Sequence, residues 1–255
     1  MKLKSVWRSL GVSVGTALAL AFGAGAAWAE EKKSGEWEYE LAPLYLWGIS
    51  IDGSTRVGPV TTPLDVKFKD SVSDLSGVFT FHFEGKNPRW GYYVDFSYVK
   101  LTPKSQLPTG QTVFVDFRNP LIEGAGLYRL GEAGRSPWWL VGGLRYMRMD
   151  IDVTGIPSPP LPFSAVSVKE DITDAFLGAR YQNKLSQRWD FMGQADIGTG
   201  TSDLVWSATL LFNYRFTKTV GAYVGWRWLD YDVDKSDFGY DATMSGPLLA
   251  VNFRW

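Results

Sequence analysis

The sequence predicts an all-β protein, a closed antiparallel transmembrane β-barrel of ten strands. Three observations predict this fold. Apolar and polar residues alternate with a period of two in ten separate segments. The connections between the segments alternate between short and long, and aromatic residues gather near the segment ends. Eight and twelve strands are the alternatives, because boundaries read from one sequence shift by a few residues.

The first 29 residues have the pattern of a secretory signal peptide. Lys2, Lys4 and Arg8 form a positive start, an apolar run covers residues 10–21, and Ala27 and Ala29 form a small-x-small cleavage pattern. The apolar run is short for a transmembrane anchor, which has to cross ~30 Å of hydrocarbon. We therefore expect residues 1–29 to be removed on export, which leaves residues 30–255 as one barrel domain.

The composition excludes several classes of chemistry. The chain contains no cysteine, so disulfides, thiol catalysis and cysteine-based metal sites are excluded. Its formal net charge is −1, which gives no electrostatic footprint for nucleic acid. No glycine-rich phosphate loop is present, and we expect no cofactor.

Ten segments carry the alternation that predicts strands. The clearest are 36–51, 75–84, 90–99, 189–198, 205–216 and 220–228, and weaker ones lie near 118–130, 137–150, 172–184 and 242–255. In 90–99, for example, Trp90 and Val94 share one face while Asp95 and Ser97 share the other.

The first strand follows the same rule in this prediction. Strict alternation from Trp37 onward places Tyr45 and Trp47 on the aromatic face, and it places Leu44 and Leu46 on the opposite face.

The connections alternate in length along the chain. Those after even-numbered strands are short, and those after odd-numbered strands are mostly long, covering 52–74, 102–111, 151–171 and 233–240. Short turns at one end, long loops at the other and an even strand number are typical of bacterial outer-membrane barrels.

Alternation by itself does not say which face points outward. A soluble lipocalin-like barrel has the same period, with its apolar residues inside. Here the aromatic residues form two groups that flank a middle of Val, Leu, Ala and Gly, and the polar face is rich in Gly, Ser, Thr and Gln but sparse in Lys. Two aromatic girdles predict that the apolar face contacts lipid. The girdle near the long loops includes Tyr45, Trp47, Tyr98, Tyr146, Trp206, Trp226 and Trp228.

The last strand ends in the other girdle. Leu249, Val251, Phe253 and Trp255 share its apolar face, and Trp255 is the final residue of the sequence given.

The sequence from Glu36 onward resembles small outer-membrane β-barrel proteins of Gram-negative bacteria, in the style of the outer-membrane protein A barrel domain and the outer-membrane protein W family. The opening "LAPLYLWGISIDG" also resembles a poorly characterised proteobacterial family whose first strand reads roughly Ala-Pro-Tyr-Leu-Trp, from which this chain departs by Leu44. The resemblance implies that the barrel-assembly machinery reads Leu249, Val251, Phe253 and Trp255 as a C-terminal signal.

Six charged residues are expected at about mid-height in the lumen: Asp95, Glu123, Arg145, Arg180, Asp196 and Arg227. Unpaired charges in a narrow interior are costly, so three acids and three arginines predict mutual pairing. One interpretation is a salt-bridged plug. The other is a narrow gated pore, in which the charges favour small polar solutes.

Catalysis and metal binding have few candidate residues. His82 is the one histidine, and its position near Glu84 on the short-turn side predicts a structural lumen residue, not a catalytic one. Asp150 with Asp152, and a second cluster of three aspartates at 230, 232 and 234, lie near the outer rim. Their spacing is not a closed ligand set for a divalent cation. We expect no enzyme activity and no metal.

The sequence therefore predicts a monomer in the bacterial outer membrane, reached by export through the periplasm, with a structural or narrow-pore role. The expected partners are outer-membrane lipid, lipopolysaccharide and the barrel-assembly machinery. Ligand binding or adhesion through loops 52–74 and 151–171 is the alternative, and a barrel enzyme is a third one.

Overall fold

The computed structural model describes residues 36–57, 60–102, 104–106, 112–132, 136–154 and 165–255, so the predicted signal peptide lies outside the described residues. These residues form thirteen strand segments and one short helix, α1 (Phe68–Asp74). The strands are β1 (Glu38–Trp47), β2 (Ser50–Val57), β3 (Val60–Val66), β4 (Leu75–Lys86), β5 (Trp90–Leu101), β6 (Lys104–Gln106), β7 (Thr112–Arg129), β8 (Trp138–Thr154), β9 (Ala165–Lys184), β10 (Trp189–Gly200), β11 (Leu204–Arg215), β12 (Val220–Asp234) and β13 (Phe238–Arg254).

Ten of these strands close a barrel in which neighbours are antiparallel. The order is β1, β4, β5 and then β7 to β13, and β13 pairs with β1 to complete the circle. Three segments lie outside the ten: β2 continues the line of β1 along β13, β3 pairs with β2, and β6 pairs with β7. The predicted fold class and strand number are confirmed. Among the described residues, no helix has the length and hydropathy needed to span a bilayer.

The polarity of the wall reverses along each long strand. On β12, Trp226 points outward and Arg227 is buried inside. Beyond Trp228 the pattern is opposite, because Asp232 points outward while Tyr231 is buried inside. An apolar outer surface is stable against hydrocarbon and an acidic one is stable in water. The outer ends of the strands therefore extend beyond the apolar band, past the girdle that contains Trp228.

A β-bulge in β1 corrects one prediction. Leu41 pairs with Phe253 but Leu44 pairs with Val251, so β1 has one residue more than β13 over this interval. An extra residue exchanges the two faces of a strand beyond it. Tyr45 is therefore buried in the lumen and Leu46 is exposed on the outside.

The prediction that Tyr45 and Trp47 belong to the outward girdle was therefore wrong. Trp47 packs from inside against the apolar core, and Leu44 and Leu46 face outward in their place. The prediction failed here because strict alternation does not allow for an inserted residue, which exchanges the two faces of the strand beyond it.

The predicted long loops are partly regular structure. Residues 52–74 contain the β2–β3 hairpin and α1, and 102–111 contains β6. The connection predicted at 233–240 is a turn of three residues between Asp234 and Phe238. The predicted loop 151–171 is shorter in the structure, because β8 continues to Thr154 and β9 begins at Ala165. Residues 155–164 lie outside the described residues.

The outer half of the lumen is filled by an apolar core. This core consists of Leu121, Met147, Met149, Ile172, Val205, Leu229, Tyr231, Val233, Phe238, Tyr240, Ala242 and Met244, with Trp47, Ile49, Ile51, Leu64 and Val168 packed against it. Its buried members come from β7, β8, β9 and β11 to β13, and none comes from β4 or β5. The charged residues lie below this core, toward the short turns.

A candidate charge plug in the lumen

Arg145 occupies the centre of a buried ionic network. Its side chain is 0% exposed. The Nε donates to Glu123 Oε2 at 2.7 Å, and Nη2 donates to Asp196 Oδ1 at 2.9 Å. Ser207 Oγ bonds Asp196 Oδ2 at 2.7 Å and lies 3.3 Å from Arg145 Nη2. One arginine on β8 thereby joins acids on β7 and β10.

Arg227 reaches the same network from the opposite wall. Its Nη2 donates to Glu123 Oε2 at 2.8 Å, and its Nη1 lies 3.8 Å from Asp95 Oδ2. Tyr93 donates to the other oxygen, Glu123 Oε1, at 2.6 Å. Five of the six residues predicted in the lumen are therefore brought into contact, with Glu123 held by two arginines and a tyrosine.

Arg180, the sixth predicted residue, pairs with an acid that the sequence analysis did not select. Its Nη1 donates to Glu84 Oε2 at 2.5 Å, and its Nε donates to Gln194 Oε1 at 2.9 Å. Gln194 also donates to Tyr93 at 3.0 Å, which connects Arg180 to the Glu123 network. Lys86 donates to Glu84 Oε1 at 2.8 Å. The sequence did indicate an inward position for Glu84, because it lies two residues after His82 and therefore on the same face of β4.

Each buried arginine also lies over an aromatic ring. The guanidinium carbons are 4.7, 5.0 and 5.2 Å from the ring centroids in the pairs Arg145–Phe176, Arg180–Tyr93 and Arg227–Trp47 respectively. Desolvated cation–π contacts of this kind contribute about 2 kcal/mol each. The bulge that turns Trp47 inward therefore supplies part of the surroundings of Arg227.

His82 belongs to the same network. Its Nδ1 contacts the carboxylate of Asp95, and its Nε2 lies 3.9 Å from Glu84 Oε2. The ring stacks on Tyr45 with centroids 5.2 Å apart. Both ring nitrogens face carboxylates, whereas a general base has to direct one nitrogen at the proton of a nucleophile. This geometry fits a packed lumen residue.

Two small cavities remain at the level of the charges, with volumes of about 20 and 10 Å³. The larger is lined by Tyr45, His82, Glu84, Arg180, Gln182, Met192, Leu211 and Tyr223. The smaller is lined by Tyr45, Trp47, Asp95, Phe96, Ser97, Leu121, Glu123 and Arg227. A cavity needs roughly 10–15 Å³ to hold a water molecule. Tyr45 is the one residue that lines both of these cavities.

A second ionic layer lies nearer the short turns. Arg254 and Tyr223 both hydrogen-bond the carboxylate of Glu40. Asp190 accepts hydrogen bonds from Arg215 at 3.0 Å and from Arg254 at 3.3 Å. This layer was not predicted from the sequence, although alternation along the last strand placed Arg254 on the inward face. The lumen is thus crossed by two ionic layers below the apolar core.

The outer acids lie on the outward face of the wall. Asp150 and Asp152 are 3.6 and 3.8 Å from Arg118 Nη1. Partial desolvation raises the pKa of Asp232, and the negative charges of Asp241 and other nearby aspartates raise it further. Within the described residues, no group of three or more acidic, histidine or cysteine side chains is placed to hold a metal ion.

Leu249 is exposed on the outward side of β13. Trp255 follows the last residue of that strand in sequence and is exposed. Val251 pairs with Leu44 and Phe253 pairs with Leu41. The role of these residues as an assembly signal stays a prediction.

Comparison with known proteins supports the fold. No protein-family model matches the chain, and no curated protein matches its sequence. The chain is similar to the crystal structure of the outer membrane protease OmpT from Escherichia coli, with a TM-score of 0.51, 7% sequence identity, and coverage of 89% of this chain and 99% of that one. This chain has the fold of Gram-negative outer-membrane β-barrels.

Two further structures are similar at lower scores. The attachment invasion locus protein Ail of Yersinia pestis, in complex with the heparin analogue sucrose octasulfate, has a TM-score of 0.38 and 12% identity and covers 86% of this chain and 99% of that one. The transport unit of the autotransporter AIDA-I from Escherichia coli has a TM-score of 0.41 and 10% identity, with 95% of each chain covered.

Proposed function

We propose that this protein is an integral outer-membrane barrel with a structural role, whose lumen is closed by the charge plug and the apolar core above it. The observation that carries the proposal is Arg145, fully buried between Glu123 and Asp196. A water-filled channel at this level would leave the guanidinium hydrated. The two cavities beside the network have room for about one water molecule each.

The outer membrane is the compartment that fits the wall. Its apolar outward band requires hydrocarbon, and the acidic outer ends require water. Export through the periplasm, contact with lipid and lipopolysaccharide, and a monomeric state belong to this proposal. A closed barrel leaves few strand edges for self-association, which favours the monomer.

A narrow pore for small polar solutes is the second candidate, and the placement of Tyr45 favours it. The two cavities that this ring lines are both lined by charged groups as well. Movement of one side chain would join them, although the apolar core would still have to admit water. In this role the protein would conduct only after Tyr45 moved.

Single-channel recording in planar bilayers separates the two roles. We expect the wild-type protein to give no unitary current steps and Tyr45→Ala to be equally silent, because the arginine network still fills the lumen. Current steps in Tyr45→Ala alone would favour the narrow pore, and stable wild-type openings at low voltage would contradict the plug. Tyr98→Ala, on the outward face, is the control for bilayer insertion.

We propose in addition that the C-terminal girdle residues promote assembly. Deletion of Phe253 to Trp255 is expected to reduce the heat-modifiable folded band in isolated outer membranes. Phe216→Ala removes an exposed aromatic residue that is not at the C-terminus and is the control for the loss of a girdle ring. Arg254→Ala is the control for the ionic layer that the deletion also removes. Normal insertion of the truncated chain would count against the signal. Binding through the outer loops stays an alternative, and the expectation of no enzyme activity stays a prediction.

A further inference from the structure

The wall of the barrel is open on one side in its outer half. β1 pairs with β4 only from Glu38–Lys86 to Ala42–His82. Above Ala42, β1 continues along β13 as far as Trp47, and β4 continues along β5 as far as Leu75. In the described part of the chain, no strand pairing joins the two sides of this gap above His82. The gap is a wedge that opens toward the outer surface.

Two contacts show how the gap is spanned. The backbone N–H of Tyr45 donates to the side chain of Thr80 at 3.1 Å, where a closed wall would offer a backbone carbonyl. Higher up, the N–H of Phe68 donates to Ser50 Oγ at 3.0 Å, and the Phe68 ring packs so closely on Gly48 that a Cβ there would overlap it. At its other end, α1 runs directly into β4.

The helix sets the width of the gap. A helix of seven residues is about 10 Å long. Paired strands are about 4.8 Å apart. Above the Tyr45–Thr80 hydrogen bond, the wedge therefore widens toward α1 by at most about 5 Å, which is room for one extended methylene chain whose carbons pack about 4 Å from their neighbours.

Strand register places the lower part of the wedge within the apolar band. His82 pairs with Asp95 and Phe79 pairs with Tyr98, and the outward face of β5 stays apolar up to Tyr98 before Lys100. The three steps along the chain from His82 to Phe79 cover about 10 Å of the strand. Water is excluded from the outer wall at this depth, so hydrocarbon is the medium that meets the gap.

The sides of the wedge are apolar and exposed. Leu46 on the β1 side is 42% exposed, and Phe79 on the β4 side is 58% exposed. Phe79 continues into a cluster of aromatic rings, with Phe81 and Phe96 at centroid distances of 6.2 and 5.7 Å. The surface of the wedge is therefore continuous with the lipid-facing surface of the barrel.

The inner side of β4 is also uncovered at this height. Val78 has the same inward parity as the buried Thr80, yet it is 41% exposed. The apolar core that fills the lumen takes no buried member from β4 or β5. A chain lying in the wedge would cover Val78 from the side.

We propose that the wedge between β1 and β4 binds one acyl chain of an outer-membrane lipid. The lipid completes the wall where the strand ladder is interrupted, with Leu46 on one side, Phe79 on the other and Phe68 at its outer end. Binding at this surface is independent of whether the lumen conducts.

Site-specific photocrosslinking tests the proposal in the full-length protein. A photoreactive phenylalanine analogue replaces Phe79, and in a second variant it replaces Leu46 on the opposite side. Ile197 is the matched control, because it is 59% exposed on a continuously paired part of the wall between β9 and β11. Each variant is purified from outer membranes, washed extensively in detergent, irradiated, and weighed by intact-protein mass spectrometry.

We expect a lipid adduct at a ratio of one per chain from Phe79 and from Leu46. Its yield should be about tenfold higher than at Ile197, which corresponds to a tenfold preference of the wedge over ordinary wall. Equal yields at Phe79 and Ile197 would overturn the proposal. An adduct with a polypeptide, or with detergent alone, would overturn the assignment to a membrane lipid.

Discussion

Replacement of Arg145 by alanine is the most direct test of the charge plug. The substitution removes the donors that bond Glu123 at 2.7 Å and Asp196 at 2.9 Å. Both acids are buried, so each loses a charged partner without gaining access to bulk water. Breaking a buried ion pair by removal of one partner typically costs about 3–5 kcal/mol. Glu123 keeps Arg227 as a partner, which places the expected loss near the middle of this range.

The assay is urea unfolding of the protein in lipid vesicles, followed by tryptophan fluorescence and by heat-modifiable gel mobility. With a slope of about 2–3 kcal/mol per molar urea, a loss of about 4 kcal/mol lowers the midpoint by roughly 1.3–2 M. Arg148→Ala is the control on the same strand. Arg148 faces outward, is paired with Asp171 at 3.8 Å, and its side chain is 41% exposed, so its loss should cost under about 1 kcal/mol.

A rescue variant identifies the cause of the stability loss in Arg145→Ala. Combining Arg145→Met with Asp196→Asn removes one charge of each sign and leaves Glu123 paired with Arg227, so this double variant should recover part of the lost stability. If Arg145→Ala and Arg148→Ala shift the midpoint equally, the argument that buried pairing holds the lumen closed is refuted. If the double variant is no more stable than Arg145→Ala, the loss comes from packing and not from the unpaired charge of Asp196.

Three further predictions follow from packing and charge. Trp47→Ala should destabilise the barrel by about 3–5 kcal/mol, because the ring packs inside against the apolar core. Trp206→Ala, on the outward face, should cost less in the same urea assay. Equal losses of stability would contradict the inward placement of Trp47. Gly246→Ala should cost about 1–3 kcal/mol, because a Cβ there would overlap the carbonyl oxygen of Gly48, and Gly124→Ala, which meets no atom within 4 Å, should be tolerated. Asp232→Asn should raise the protection of backbone amides against hydrogen exchange at the outer end of β12 at pH 7, and its effect should be smaller at pH 4, because a raised carboxyl pKa means that stability is lost as pH rises through that pKa. A greater benefit at pH 4 would contradict the direction of this pKa shift.

The sequence was sufficient to predict the wall of the barrel. Alternation with a period of two is a local property, because successive Cβ atoms point to opposite faces of any strand. It therefore predicted the strand number and the inward parity of the lumen residues. The polarity of the outward face, together with its aromatic girdles, indicated hydrocarbon outside.

The partners of those lumen residues required tertiary structure. Arg180 pairs with Glu84, which is 96 residues away in sequence, and not with an acid of the predicted set. Parity limits a side chain to one face, but only the order, register and tilt of all the strands fix its height and its neighbour. The second ionic layer around Glu40 was missed for the same reason.

The course of β1 beyond Leu41 was also decided by tertiary structure. The bulge before Leu44 turns Tyr45 and Trp47 inward, and the separation of β1 from β4 above Ala42 opens the wall. Both features depend on which backbone groups pair across strands that are distant in sequence. Alternation along a single strand contains no information about pairing, so the sequence by itself determined a barrel with charged residues in its lumen. The three-dimensional pairing decided where that barrel is filled and where it is open.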